Sequence, residues 1–329
     1  MFLKIFISKQ QFIIILILVL AAAFWLPSII NYKSTFFVFD FYPAPVYKSF
    51  QFIEYSFPLA TVIISLILLV MSGFLLVRLN ILFFFIETRT QLPAFFYIFI
   101  CSSFIPIQRF NPVLISGIFL IMAVFRIFGT FKKEQVCFNY FDAALLISAG
   151  SMFYFNLIFL IVIVWIGLLI LRPFIWREWI FTVIGILVPY LLLFSCYYLL
   201  DMDINNLLNT YKSYFILDRY DIIFDLPYKL LAIYYLMMLV ISSIYMIRVY
   251  PVKKIYSRKY FMFFLWLFIV TLAVYYIIPS AGYEMIIIAA LPVSFLLTHF
   301  FVNVKANWIN RLLFDMFFGV LIYLRIVYM

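Results

Sequence analysis

The chain has 329 residues, 69% of them hydrophobic and only 11% charged, and its mean hydropathy is +1.20, whereas a soluble domain is roughly 45–50% apolar and about 25% charged. A water-soluble core is thereby excluded, and because no polar segment is long enough to fold alone, residues 1–329 are read as a single integral membrane domain with the lipid bilayer as its partner. The formal charge of +10 does not point to nucleic acid, because the basic residues are scattered among short segments between apolar runs, as positive-inside sorting would leave them.

In chain order, Lys4 and Lys9 precede an apolar stretch, and Ala21-Ala22-Ala23 imitates a signal-peptide cleavage site. Bulky Phe24 and Trp25 follow at once and the apolar run continues to Ile30, so residues 11–30 are expected to form an uncleaved first helix. Further helices are expected at 57–77, 92–107, 112–130, 141–155, 157–171, 179–200, 229–249, 260–278, 284–303 and 309–328, around charge-free runs such as Ala60 to Val70 and Ile180 to Phe194. The expected fold class is all-α: a polytopic transmembrane bundle of about 11 helices with a cytoplasmic N-terminus. The pair within 141–171 is open between one span and two, since it is long for one and short for two, and Gly150, Ser151 and Asn156 permit a tight re-entrant turn.

This threading places about two thirds of the 23 Lys and Arg on the cytoplasmic side, among them Lys132, Lys133, Lys253, Lys254, Arg258 and Lys259. Most of the 13 Asp and Glu fall outside. Two outer loops exceed what a connection requires. In 31–56, Pro43-Ala44-Pro45 enforces an extended bend before a short interfacial helix over Tyr47 to Tyr55. In 201–228, Leu207, Leu208, Tyr211, Tyr214 and Phe215 share one helical face, the pattern of a helix lying in the outer headgroup layer.

The candidate chemistry lies in these outer segments. Asp40, within Phe36-Phe37-Val38-Phe39-Asp40-Phe41-Tyr42, is placed to act as a base toward an acceptor hydroxyl, the simpler reading being a solvated loop acid. Glu54 shares that loop and is a second candidate for substrate contact. Arg109, in the small outer turn Pro106 to Pro112, suits recognition of an anion such as a polyprenyl pyrophosphate, or anchorage to headgroups. Arg219 is a candidate for a lipid phosphate, or a snorkelling cation. Asp201, Asp203 and Asn205 imitate the start of a calcium loop, yet Asn206 replaces the required glycine and Lys212 stands where the bidentate glutamate belongs. A divalent cation held by Asp201 and Asp203 with help from Asp40 is the one cofactor these acids suggest; otherwise none is evident. Cys101, Cys137 and Cys196 lack metal or redox spacing, His299 is the lone histidine, and there is no Walker A loop, GxSxG or HExxH.

The run Leu171-Arg172-Pro173-Phe174-Ile175-Trp176-Arg177-Glu178-Trp179, followed by Gly185 and Pro189-Tyr190, resembles a family of uncharacterised bacterial polytopic inner-membrane proteins. Arg89-Thr90-Gln91-Leu92-Pro93 and Asn111-Pro112 share in that resemblance, which extends over most of the chain and implies multi-pass residence in the bacterial inner membrane. More loosely, the layout is similar to the GT-C glycosyltransferases, which transfer sugars from polyprenyl-phosphate donors at the outer membrane face. That resemblance implies a polyprenyl-linked sugar as substrate and Asp40 as the catalytic acid, although the first outer loop is short and lacks a paired acid. A transport or assembly component of a cell-envelope complex, with membrane-protein partners, is the second class of function.

Overall fold

The computed structural model describes residues 12–30, 37–216, 225–304 and 308–328, and every regular element among them is helical. In chain order these are α1 (Phe12–Ile30), α2 (Val38–Phe41), α3 (Pro45–Ser56), α4 (Pro58–Phe83), α5 (Leu92–Ser102), α6 (Pro112–Phe128) and α7 (Cys137–Ser151). There follow α8 (Val162–Leu171), α9 (Trp176–Leu199), α10 (Ile204–Ile216), α11 (Leu226–Val249), α12 (Ile255–Ile277), α13 (Ile286–Asn303) and α14 (Trp308–Tyr328). Proline marks many of the starts: Pro45, Pro58, Pro93, Pro112 and Pro227 all lie in a first turn. There the missing N–H is one the helix would leave unpaired anyway. Asn111 completes one such start, its side chain accepting from Val113 N at 2.9 Å.

Among the described residues, six helical runs are long and apolar enough to cross a membrane: α1, α4, α9, α11, α12, and the turn at Tyr283 continuing through α13. Apolar content serves two different ends among them. In α9 only 17% of the most apolar window is buried inside the protein, against 83% for Tyr283–Asn303. The first helix turns its apolar face to lipid; the second is hydrophobic all round because it is the protein core. Some hydroxyls inside the long helices bond back to their own backbone, as Ser65 does to Thr61 O and Thr271 to Leu267 O, which satisfies them without water.

The helix expected over 92–107 is shorter than its hydropathy implies. Pro106 cannot donate to a continuing ladder, so α5 stops at Ser102 and a 3-10 turn, Ile105–Ile107, follows. Gln108 Nε2 then donates to the freed Ser102 carbonyl at 2.6 Å. At 11 residues α5 spans about 17 Å, far less than a hydrocarbon core of ~30 Å. It is viable because all its residues are buried in protein, with the rings of Phe95, Phe96 and Phe99 packed against Phe314, Phe317 and Phe318 of α14. The segment 141–171 is two helical legs, α7 and a 3-10 stretch (Phe155–Ile161) running into α8, which turn back at Met152, Phe153 and Tyr154. Gly185 lets α9 press on α7: an added Cβ would lie 2.5 Å from Phe141 O and 3.0 Å from Ala144 Cβ.

The connections sort to two ends. At the basic end, Ser257 donates to Phe85 O at 2.7 Å, Lys253 approaches Glu87, and Arg172 reaches Lys133 O. At the other end, Val46 N bonds Met152 O at 3.1 Å, Phe104 stacks on Tyr228, and Tyr214 OH donates to Tyr42 O.

Candidate functional site

The acid-rich end contains the site. α2 is a single turn closed by Asp40 N to Phe37 O at 3.0 Å, and the Asp40 side chain folds back to accept from Phe37 N at 2.9 Å. Pro45 starts α3, whose inner face presents Tyr47 and Glu54, two turns apart. Between them comes Arg109, carried on the irregular backbone that follows α5. Its Nη1 donates to Asp40 Oδ2 at 2.7 Å and its Nη2 to Asp40 Oδ1 at 2.9 Å, a two-pronged pairing. The same guanidinium reaches Glu54 Oε1 from Nε at 3.0 Å and from Nη2 at 2.7 Å. The side chains are only 7% exposed for Arg109 and 6% for each carboxylate.

Aromatic rings wall this cluster. Phe37 and Phe39 lie 5.6 and 5.8 Å from the guanidinium carbon, and the Phe37 ring packs 4.7 Å from Tyr283. Tyr47 OH donates to Glu54 Oε2 at 3.3 Å, and Gln51 Nε2 donates to the Asp40 carbonyl at 3.1 Å. Burial by itself would lower the pKa of Arg109, but the adjacent Asp40 and Glu54 outweigh it and push the value well above the usual range, so the cation is permanent. Burial, reinforced by Glu54, raises the Tyr47 phenol far above its ordinary value and keeps it neutral.

A second polar network adjoins the first. Glu284 Oε1 accepts from Tyr154 OH at 2.8 Å and from Gly282 N at 2.9 Å, Asn156 Nδ2 donates to Tyr154 OH at 3.1 Å, and Ser280 donates to Asn156 Oδ1 at 2.9 Å. A third ties the C-terminal helix in: Gln108 Oε1 accepts from Ser28 Oγ at 2.6 Å and from Arg325 Nη2 at 2.8 Å. These networks, with the Phe37–Tyr283 ring contact between the first two, gather residues 37–56, the Arg109 turn and the Tyr154 and Ser280 turns into one cap. Of the residues singled out in the sequence, Asp40, Glu54 and Arg109 meet. Tyr47, Tyr154, Asn156, Ser280 and Glu284 were not anticipated as site residues, since in the sequence Asn156 only permits a turn and Tyr47 only begins a short helix; a further local signal is the turn Pro279-Ser280-Ala281-Gly282 that leads into Glu284.

Asp201 and Asp203 lie apart from this cluster. Asp201 is exposed with φ at 50°, and Asp203 Oδ1 accepts from the first-turn amides of Asn205 and Asn206 at 2.9 and 3.3 Å, a helix-start role for α10. No group of three or more His, Cys, Asp or Glu that could hold a metal ion gathers among the described residues. Arg219 lies outside the described residues. The face expected to be uniformly apolar is divided in α10: Leu207 and Tyr214 are buried, while Leu208 and Phe215 are exposed.

Between α3, α10 and the end of α9 lies a groove of about 600 Å³. Lys48, Ser49, Asp203, Asn206 and Thr210 supply its polar lining, and Leu193, Leu200 and Met202 its apolar side. Asp40 and Arg109 do not line it.

The model of a family described as a family of unknown function (DUF6427) matches residues 28–329, and the chain belongs to that family. No curated protein and no solved structure matches it.

Proposed function

For this member of a family of unknown function we propose a multi-pass membrane protein, N-terminus cytoplasmic, of about eleven helices including the re-entrant pair, that binds the head of a lipid-linked amphiphile at the outer membrane face. The observation that carries this reading is the groove between α3 and α10, at the acid-rich end, with polar side chains from α3 and α10 and apolar ones at the end of α9. A polyprenyl-phosphate-linked sugar suits it best. Lys48 offers a cation for phosphate, Ser49, Asn206 and Thr210 offer donors and acceptors for sugar hydroxyls, and Leu193, Leu200 and Met202 offer a path for the prenyl chain. The cap built on Arg109 then serves to hold α3, one wall of the groove, in place.

Within this reading the non-catalytic alternative, a transport or assembly component, is favoured over glycosyl transfer by one observation: both Asp40 oxygens already accept hydrogen bonds, from Arg109 and Phe37. For Asp40 to serve as a base, Arg109 must first release it. The test uses a photoactivatable polyprenyl-phosphate sugar in vesicles holding the purified protein. Crosslinks to α3 or α10 that disappear in Thr210→Trp support binding in the groove, and their absence ends the reading. Sugar transfer to an acceptor, lost by about 10²-fold in Asp40→Asn, would favour the enzyme; binding without transfer favours the component.

A further inference from the structure

Along their length, α1 and α4 leave a lateral crevice of about 580 Å³ between them. Its walls are Leu18 and Ala22 on one side and Leu66, Ile67, Val70 and Met71 on the other, with Phe74 and Leu75 further along. Arg78 is its single charged lining residue. Ile67 and Met71 are 54% and 49% exposed, so the crevice opens sideways to lipid. From Leu66 to Arg78, α4 rises about 18 Å, close to the depth of one leaflet, half of ~30 Å. Arg78 lies twenty residues beyond Pro58, about 30 Å along the axis, where the hydrocarbon core gives way to headgroups at the basic end.

Among the described residues Arg78 has no hydrogen-bond or ion-pair partner. We infer that this crevice is a lipid site, holding one acyl chain of an anionic phospholipid along α1 and α4 with its phosphate on the Arg78 guanidinium. A planar guanidinium pairs phosphate oxygens in two-pronged fashion. An anionic lipid supplies a charge that Arg78 alone must answer, whereas a zwitterionic headgroup brings its own cation. A second copy of the chain is a poorer occupant, because an apolar helix laid over the crevice would strip Arg78 of water and return no charge. The apolar walls select a chain and the arginine selects the headgroup.

The experiment is native mass spectrometry of the protein released from phosphatidylcholine vesicles containing a minority of phosphatidylglycerol, with monodispersity in detergent as the folding check. The wild type should retain phosphatidylglycerol, and Arg78→Gln should reduce that preference about fivefold. Val70→Trp, which fills the crevice but keeps the cation, should remove the retained lipid; Ala22→Leu fills it from α1 should the tryptophan variant misfold. Arg248→Gln, which removes an exposed cation at the same end outside the crevice, should change nothing. Equal losses in Arg78→Gln and Arg248→Gln would mean diffuse attraction to the membrane and overturn the site, as would lipid retention undisturbed by both fillers. A dimer crosslinked through Met71→Cys would show that a second copy occupies the crevice, and would overturn it too.

Discussion

Removing the guanidinium of Arg109 should be among the most damaging single changes at the acid-rich end of this protein. Arg109→Met keeps much of the packing against Phe37 and Phe39 but deletes the contacts of 2.7 and 2.9 Å to Asp40 and of 3.0 and 2.7 Å to Glu54. Two carboxyl groups, each 6% exposed, are then left facing one another without a cation. Breaking a buried pair in this way costs about 3–5 kcal/mol, most of it the penalty of the stranded charge. Asp40→Asn, which leaves Arg109 paired with Glu54, should cost about 1–3 kcal/mol. The triple variant Arg109→Met, Asp40→Asn, Glu54→Gln should recover most of the loss, since neutral groups carry no stranded charge. Unfolding titrations in mixed detergent micelles, followed by circular dichroism, measure these differences. A single variant within about 0.5 kcal/mol of wild type, or a triple variant no better than the single, would refute the reasoning.

Gly185→Ala should destabilise the α7–α9 contact by about 1–3 kcal/mol, because the new Cβ meets backbone at Phe141 O, whereas Gly319→Ala meets nothing within 4 Å and should be neutral or stabilising in the same titration. Tyr47 should stay un-ionised when absorbance is followed through the ordinary tyrosine range near pH ~10, so Tyr47→Phe should leave the tyrosinate signal of the folded protein unchanged. Because its folded-state pKa is raised, its share of stability is intact below that range and is lost only as pH climbs beyond it. In a variant lacking Cys101, Cys137 and Cys196, an impermeant thiol reagent should reach Ser49→Cys from outside the cell and Glu134→Cys only after the membrane is opened; the reverse pattern would invert the orientation.

The apolar, membrane-type character, the helical class and the presence of a helix in each of the two long polar segments were legible in the sequence, because run length, proline placement and residue periodicity act locally and their meaning does not depend on what the chain touches. α3 begins at Pro45, within 31–56 where a proline bend preceded an expected short helix, and α10 occupies Ile204–Ile216, within 201–228 where a shared apolar face signalled one. Hydropathy could not distinguish a helix apolar for lipid, such as α9, from one apolar for protein, such as α13, nor foresee that α5 is too short to cross and is sheathed instead. Asp40, Glu54 and Arg109 were each conspicuous as polar residues in apolar surroundings, but nothing in one dimension says that 55 and 69 residues of chain close on a single guanidinium. The arrangement of partners belongs to tertiary structure alone, since a charge in a nearly dry interior is tolerated only where distant segments bring its counter-charge to hydrogen-bonding distance.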